Sequence, residues 1–210
     1  MWQPGKSGIP VPGSFNSAAE NNSPPGLRKP AVPPFSALAM NLRTTLALMS
    51  LFSLLLGSVN AEPLKVGDSA PVVSGITDAG ATINLGDTYK HNEYTLVWFY
   101  PRALTGGCTK QGCSLRNASA ELKQKGVAIV GVSNDPVEKQ KQFKEVNNFP
   151  YPLIADTDRK VINAFGQVGN GAAAREAYLI NKQGKVVYHD VKQTDKQGEM
   201  VLAFLNSHKH

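Results

Sequence analysis

Apolar runs alternate with amphipathic stretches over the second two-thirds of the chain. Residues 95–100 (TLVWFY) and 127–132 (VAIVGV) are apolar almost throughout, which is typical of strands buried on both faces of a parallel sheet. Between them, apolar residues recur at spacings of three and four over 115–122. This spacing predicts a helix that begins near Cys108 and ends by Gly126, and hence a strand–helix–strand unit.

A hairpin precedes this unit, and further helices and strands follow it. Residues 72–85 form two predicted strands around a turn at 78–80. Asp135 is the predicted N-cap of the next helix, with Pro136 at its first helical position. The remaining predicted elements are a strand at 153–154, a helix at 159–165, a hairpin formed by 177–180 and 185–191, and an amphipathic helix at 195–207. This order predicts an α/β fold, a thioredoxin-like sandwich whose central mixed β-sheet is flanked by helices and preceded by an N-terminal β-hairpin.

The first 61 residues have a different character. Residues 1–39 hold eight of the 14 prolines and few large aliphatic side chains, so they bury too little apolar surface to fold and are predicted to be disordered or not translated. Residues 40–61 combine Arg43, an apolar stretch at 46–56 and small residues at 59–61. This combination predicts a secretory signal peptide.

A retained membrane anchor is the alternative for the same segment. The uncharged run at 44–61 is at the short limit for a membrane span of ~20 residues, so we expect no stable membrane anchor. Either translation begins at Met40, or 1–39 and 40–61 form a two-part organellar import sequence. The protein is therefore predicted to be exported, to a periplasm or alternatively to an organelle lumen, with residues 62–210 as its folded domain.

The formal net charge of +6 raises the possibility of a nucleic-acid partner. Half of this charge lies within residues 1–61, and the lysines at 123–144 are interleaved with glutamates. This pattern is typical of a solvated helix face and lacks the basic stripe that nucleic-acid binding requires. We expect no nucleic-acid partner.

The first cysteine occupies a position suited to chemistry. Cys108 follows the apolar strand at 95–100 and lies in or beside the first turn of the next helix. Ligands bind at the carboxyl ends of strands in such sheets, and helix N-terminal amides stabilise a thiolate there. Gly106 and Gly107 allow backbone amides to approach a bound molecule, and Thr105 offers a hydroxyl group.

The second cysteine, Cys113, lies five residues after Cys108. In an intact α-helix this separation corresponds to a rise of about 7.5 Å and a rotation of about 140°, so a disulfide between the two requires the first helical turns to unwind. Gly112 lowers the helix propensity at that point. A static disulfide would break the predicted helix, which favours a catalytic pair. An exported carrier of copper or zinc, using Cys108 and Cys113 with a histidine, is the alternative from another functional class.

Specific motifs surround these cysteines. Residues 99–108 read FYPRALTGGC, in which Pro101, Thr105 and Cys108 form a P-x-x-x-T-x-x-C pattern, and Cys113 completes a C-x-x-x-x-C spacing. Later blocks are GVSND at 131–135, PLIAD at 152–156, AFG at 164–166 and R-x-x-Y-L-I at 175–180. Together they span nearly all of 64–207, and the chain resembles the peroxiredoxins, within them the bacterioferritin-comigratory or Q-type branch.

The resemblance implies a thiol-dependent peroxidase and a role for each motif residue. Cys108 would be the peroxidatic cysteine and Cys113 the resolving cysteine, with an intramolecular disulfide as intermediate. Thr105 would hold the peroxide, Arg175 would stabilise the thiolate and the transition state, and Pro101 would shield the pocket. The implied substrates are hydrogen peroxide and alkyl hydroperoxides, and the implied reductant is a thioredoxin-like dithiol protein. No cofactor or metal is implied, and we expect a monomer or weak dimer.

Overall fold

The computed structural model describes residues 62–167 and 170–208. The predictions for 1–39 and 40–61 lie outside these residues. None of the helices within the described ranges has the length and hydrophobicity needed to cross a membrane.

The described residues form a two-stranded sheet, a five-stranded sheet and flanking helices. The strands are β1 (Ser74–Ile76), β2 (Thr82–Asn84), β3 (Tyr94–Phe99), β4 (Val127–Ser133), β5 (Leu153–Ala155), β6 (Glu176–Asn181) and β7 (Val186–Val191). The helices are α1 (Leu85–His91), α2 (Gly106–Gln124), α3 (Val137–Asn147), α4 (Lys160–Ala164) and α5 (Gln197–Ser207). The large sheet has the order β5-β4-β3-β6-β7. Its β3, β4 and β5 are parallel, whereas β6 is antiparallel to β3 and β7. The predicted thioredoxin-like sandwich with a mixed sheet and an N-terminal hairpin is confirmed.

Two hydrophobic cores cover the two faces of the large sheet. Successive side chains of a strand point to opposite faces, and in β3 this places Leu96 and Trp98 in one core and Val97 and Phe99 in the other. Helices α2, α3 and α5 contribute to the first core, and α1 and α4 to the second. The apolar run at 95–100 is thus buried on both faces, as predicted.

The structure corrects the end of one predicted strand and adds one helix. Residue 85 was predicted to end a strand, but it begins α1, which is capped by the Asn84 side chain as it accepts a hydrogen bond from the Asp87 N–H at 3.1 Å. Helix α2 begins at Gly106, near Cys108, and ends at Gln124, before Gly126, as predicted. The difference at residue 85 is local, because a helix as short as α1 depends on its cap more than on a long apolar stripe.

Asp135 does not cap α3, contrary to the prediction. Pro136 is the N-cap residue, and the Asp135 carboxylate accepts a hydrogen bond from the backbone N–H of Ala103 at 2.7 Å instead. The Ser133 hydroxyl donates to the same carboxylate at 2.9 Å, and Lys139 pairs with it at 2.6 Å. Asp135 therefore holds the loop that connects β3 to α2.

Candidate active site

The sheet topology brings two residues that are far apart in sequence to one place. Strand β6 is antiparallel to β3, and its first residue, Glu176, lies opposite Phe99 near the end of β3. Arg175, which immediately precedes β6, therefore lies beside the carboxyl end of the central strand. This is the end from which the chain enters α2 and reaches Cys108.

Cys108 lies in the first turn of α2 and is only 1% exposed. Nη2 of Arg175 lies 3.4 Å from its Sγ, and Nη1 of the same guanidinium donates to the carbonyl of Gly107 at 3.4 Å. A β-carbon on Gly107 would lie 3.1 Å from Nη2, so glycine at this position gives the guanidinium room. The buried sulfur of Cys108 thus lies in the first turn of a helix and beside a guanidinium group.

A strained loop separates β3 from α2. Pro101 is half-buried at the start of this loop, and Leu104 adopts a left-handed backbone with φ of 65°, a conformation that costs free energy in a residue other than glycine. Thr105 is the exposed N-cap residue of α2, and its hydroxyl donates to the carbonyl of Arg102 at 2.9 Å. The Thr105 hydroxyl is thus occupied by the backbone of its own loop.

Cys113 lies in the same continuous helix as Cys108, and neither thiol is in a disulfide. Cys113 is half-buried, and its Sγ lies 3.8 Å from Oδ1 of Asn147 at the end of α3. Arg116, one turn further along α2, donates to the Asn147 carbonyl at 2.8 Å. The end of α3 therefore holds the Cys113 turn of α2 in its helical form.

The backbone between the two cysteines is covered by two aromatic side chains. A β-carbon on Gly112 would lie 2.4 Å from the ring of Phe149, so this glycine is required by close packing in addition to its low helix propensity. The Tyr151 hydroxyl donates to the Gly112 carbonyl at 2.8 Å. Burial raises the pKa of Tyr151, so the phenol stays protonated and keeps donating. Both contacts favour the wound form of the segment.

Sequence reasoning missed a further partner of the arginine. Oε1 of Gln111 accepts a hydrogen bond from Nη1 of Arg175 at 2.5 Å, and Gln111 is fully buried. A signal for it exists in the sequence, because Gln111 lies three residues after Cys108 and four before Leu115 and so continues the inner stripe of α2.

Among residues 62–167 and 170–208, no three His, Cys, Asp or Glu side chains are grouped closely enough to hold a metal ion. The alternative of a copper or zinc carrier therefore gains no support from the arrangement around Cys108 and Cys113.

A model of the AhpC/TSA family matches residues 66–189, more than half of the chain. The chain belongs to the AhpC/TSA family. It is 37% identical over 157 residues to peroxiredoxin Bcp of Escherichia coli (strain K12), a match that covers 70% of this chain and 99% of that protein. A putative peroxiredoxin Bcp of Haemophilus influenzae is 32% identical over 156 residues, which cover 70% of this chain and 99% of that one.

Two solved structures have the same fold. The crystal structure of peroxidoxin BcpB from Mycobacterium tuberculosis superimposes with a TM-score of 0.65 at 28% identity, covering 70% of this chain and 99% of that one. A PrxQ variant from Xylella fastidiosa superimposes with a TM-score of 0.64 at 22% identity, covering 69% and 97%. The resemblance to the Bcp and peroxiredoxin Q branch is confirmed, and this AhpC/TSA protein is a thiol peroxidase. The roles of the individual site residues stay predictions.

Proposed function

We propose that the enzyme reduces hydrogen peroxide and alkyl hydroperoxides through a sulfenic acid on Cys108, which Cys113 resolves as an intramolecular disulfide. A thioredoxin-like dithiol protein then reduces that disulfide. The observation that carries the proposal is the approach of the Arg175 guanidinium to within 3.4 Å of the Cys108 sulfur in the first turn of α2.

In the first step the Cys108 thiolate attacks one oxygen of the peroxide. A sulfur–oxygen bond forms as the oxygen–oxygen bond breaks, the sulfur loses two electrons, and the departing alkoxide or hydroxide takes up a proton. Arg175 faces the place where negative charge moves from sulfur to oxygen, so its guanidinium stabilises the transition state as well as the thiolate. The products are a sulfenic acid on Cys108 and an alcohol or water.

Two residues of the loop before α2 complete the proposed peroxide site. Thr105 is exposed, so its side chain is free to turn from the Arg102 carbonyl and donate a hydrogen bond to the peroxide. Pro101, half-buried at the start of the loop, shields the Cys108 sulfur from bulk water. Asp135 supports both roles because it holds the Ala103 N–H at 2.7 Å and so fixes the middle of the loop.

The second step requires a change of conformation in this proposal. Cys108 and Cys113 occupy one helix, and five helical residues separate their Cα atoms by about 7.5 Å along the axis and point the side chains apart, beyond the geometry of a disulfide. The first turns of α2 therefore unwind. The Cys113 thiol then attacks the sulfenic sulfur, a disulfide forms and water leaves. The dithiol reductant then reduces this disulfide by thiol–disulfide exchange: the reductant is oxidised to a disulfide, and both thiols of the enzyme are restored.

The test compares two matched cysteine variants of the full chain. We expect Cys108→Ser to consume no peroxide. Cys113→Ser should consume one equivalent and then stop, with one oxygen added to Cys108 by mass spectrometry, until a small thiol is supplied. Full turnover in Cys108→Ser contradicts the role of Cys108. Unimpaired recycling of Cys113→Ser by the dithiol protein alone contradicts the role of Cys113.

A further inference from the structure

Behind Arg175, a chain of hydrogen-bonded side chains leads away from Cys108. Gln111, which accepts from Arg175, donates through Nε2 to Oε1 of Gln197 at 2.8 Å. Gln197 in turn donates through Nε2 to Oδ1 of Asp190 at 2.8 Å, and the Tyr188 hydroxyl donates to Oδ2 of that carboxylate at 2.9 Å. The chain thus joins the arginine to a carboxylate on β7 through two amides.

We propose that Gln197 and Asp190 are positioning residues that hold Gln111, and through it Arg175, in the orientation that serves Cys108. The proposal rests on the role of Arg175 and Cys108 proposed above. It adds one residue of β7 and one residue of the C-terminal helix α5 to the determinants of the peroxidase rate.

The two ends of this hydrogen-bonded chain, the Arg175 guanidinium and the Asp190 carboxylate, determine which way each hydrogen bond within it points. A guanidinium has only donors and a carboxylate only acceptors. Asp190 therefore turns the NH₂ group of Gln197 toward itself, which presents the Gln197 oxygen to Gln111. The NH₂ group of Gln111 then faces Gln197, and its oxygen faces Arg175. A flip of either amide would set two donors or two acceptors against each other, so the two charged ends select one arrangement.

Burial makes this selection strict. Gln111 and Gln197 are both fully buried, and Asp190 is only 9% exposed. Water therefore does not replace a lost partner, and an amide left without one costs far more in the interior than at the surface. Removing Asp190 or Gln197 leaves the next side chain without its fixed orientation. The effect reaches the Arg175 guanidinium beside Cys108.

Helix α5 is also fixed to α2 next to this chain. The backbone N–H of Gly198 donates to Oγ of Ser114 at 2.9 Å, so the first turn of α5 is attached to α2 within one turn of Gln111. Gln111 itself lies between Cys108 and Cys113. The unwinding proposed for disulfide formation would therefore break the Gln111 contacts, so Gln111 holds Arg175 only until the disulfide forms.

The test measures the second-order rate constant for oxidation of Cys108 by hydrogen peroxide in single-turnover mixing of the reduced full chain. Gln197→Met keeps the length of the side chain but removes both hydrogen bonds, and we expect about a tenfold loss of rate, equivalent to about 1.4 kcal/mol. Val201→Ala is the matched control. Val201 is a buried residue of the same helix but is not a member of the hydrogen-bonded chain. It should lower thermal stability without lowering the rate.

Asp190 gives a second pair of variants at the far end. Asp190→Leu removes the acceptor and should lower the rate as Gln197→Met does. Asp190→Asn keeps one acceptor oxygen for Gln197 and should recover most of the rate, which a purely structural role related to stability would not predict.

An Arg175→Met background separates this inference from the proposed function. If Gln197 acts through Arg175, Gln197→Met has no further effect on the rate in that background. An equal loss in both backgrounds, or no loss in Gln197→Met and Asp190→Leu while Arg175→Met is slow, overturns the positioning role alone. A normal rate in Arg175→Met overturns the proposed function and this inference with it.

Discussion

The Tyr151 hydroxyl provides a direct way to change the cost of unwinding α2. It donates to the Gly112 carbonyl at 2.8 Å, and Tyr151 is 5% exposed. Gly112 lies between the cysteines, so the proposed unwinding of this segment would break the bond. Tyr151→Phe removes the hydroxyl and leaves the ring in contact with Phe149, against which it stacks with centroids 5.4 Å apart.

The expected size of the effect follows from that single bond. A neutral buried hydrogen bond contributes about 1 kcal/mol net, which the wound form would lose and the unwound form would not. A shift of about 1 kcal/mol corresponds to about a fivefold change in an equilibrium. We therefore expect Tyr151→Phe to form the disulfide about fivefold faster after oxidation of Cys108, and to accumulate less sulfinic acid at high peroxide because the sulfenic acid is resolved sooner.

The assay mixes the reduced full chain with one equivalent of hydrogen peroxide, stops the reaction with acid at successive times, alkylates free thiols and counts disulfides by mass spectrometry. Tyr89→Phe is the matched control, since it removes another buried hydroxyl, which donates to the Pro71 carbonyl at 3.3 Å. An unchanged or slower rate of disulfide formation in Tyr151→Phe, or an equal gain in Tyr89→Phe, would show that the Tyr151 hydroxyl does not hold this segment in its helical form.

Two further predictions concern stability. A methyl group on Gly112 would lie 2.4 Å from the Phe149 ring, so Gly112→Ala should lower the free energy of unfolding by about 1–3 kcal/mol through overpacking; urea unfolding that matches the parent protein would contradict this contact. Burial raises the pKa of Asp190, so the folded state binds a proton more tightly than the unfolded state. Protonation of Asp190 therefore stabilises the folded state. This stabilisation is fully present below the pKa of the carboxyl in the unfolded chain, about 3.9, and is lost as pH rises through its higher pKa in the folded state. Asp190→Asn should make this decline shallower in urea unfolding from about pH 3 upward, and an equal slope would contradict the assignment.

The parts of the fold that local pattern determines were predictable. The buried strand at 95–100 and the apolar stripe of α2 are visible in consecutive residues, and together they place Cys108 at the start of a helix. The boundaries were less predictable where a single cap decides them. Asp135 precedes a proline and looks like an N-cap, yet it accepts the N–H of Ala103, 32 residues away.

Arg175 was predicted only through the family resemblance. Its position beside Cys108 depends on the antiparallel register of β6 against β3, in which Glu176 lies opposite Phe99, and periodicity alone does not determine which strands become neighbours. Once that register is known, the residue before β6 must lie at the end of β3 where α2 begins.

The hydrogen-bonded chain of Gln111, Gln197 and Asp190 behind Arg175 was not predicted from the sequence. Gln111 and Gln197 are 86 residues apart, and each is a polar residue in a segment whose core residues are apolar. The inner stripe of α2 indicates that Gln111 is buried, but it does not indicate which residues Gln111 contacts. Gly112 illustrates the same limit, because its low helix propensity is visible in the sequence whereas the Phe149 ring that packs on it is not.

In the proposed mechanism Cys108 is oxidised first, and Cys113 reaches it through unwinding of the first turns of α2. The decisive measurement for this order of events is amide hydrogen exchange of residues 106–113, read by mass spectrometry before and after one equivalent of hydrogen peroxide. We predict an intramolecular Cys108–Cys113 disulfide together with a loss of amide protection across these residues. An oxidised protein that keeps full protection there, with the two sulfurs unlinked, would exclude this mechanism.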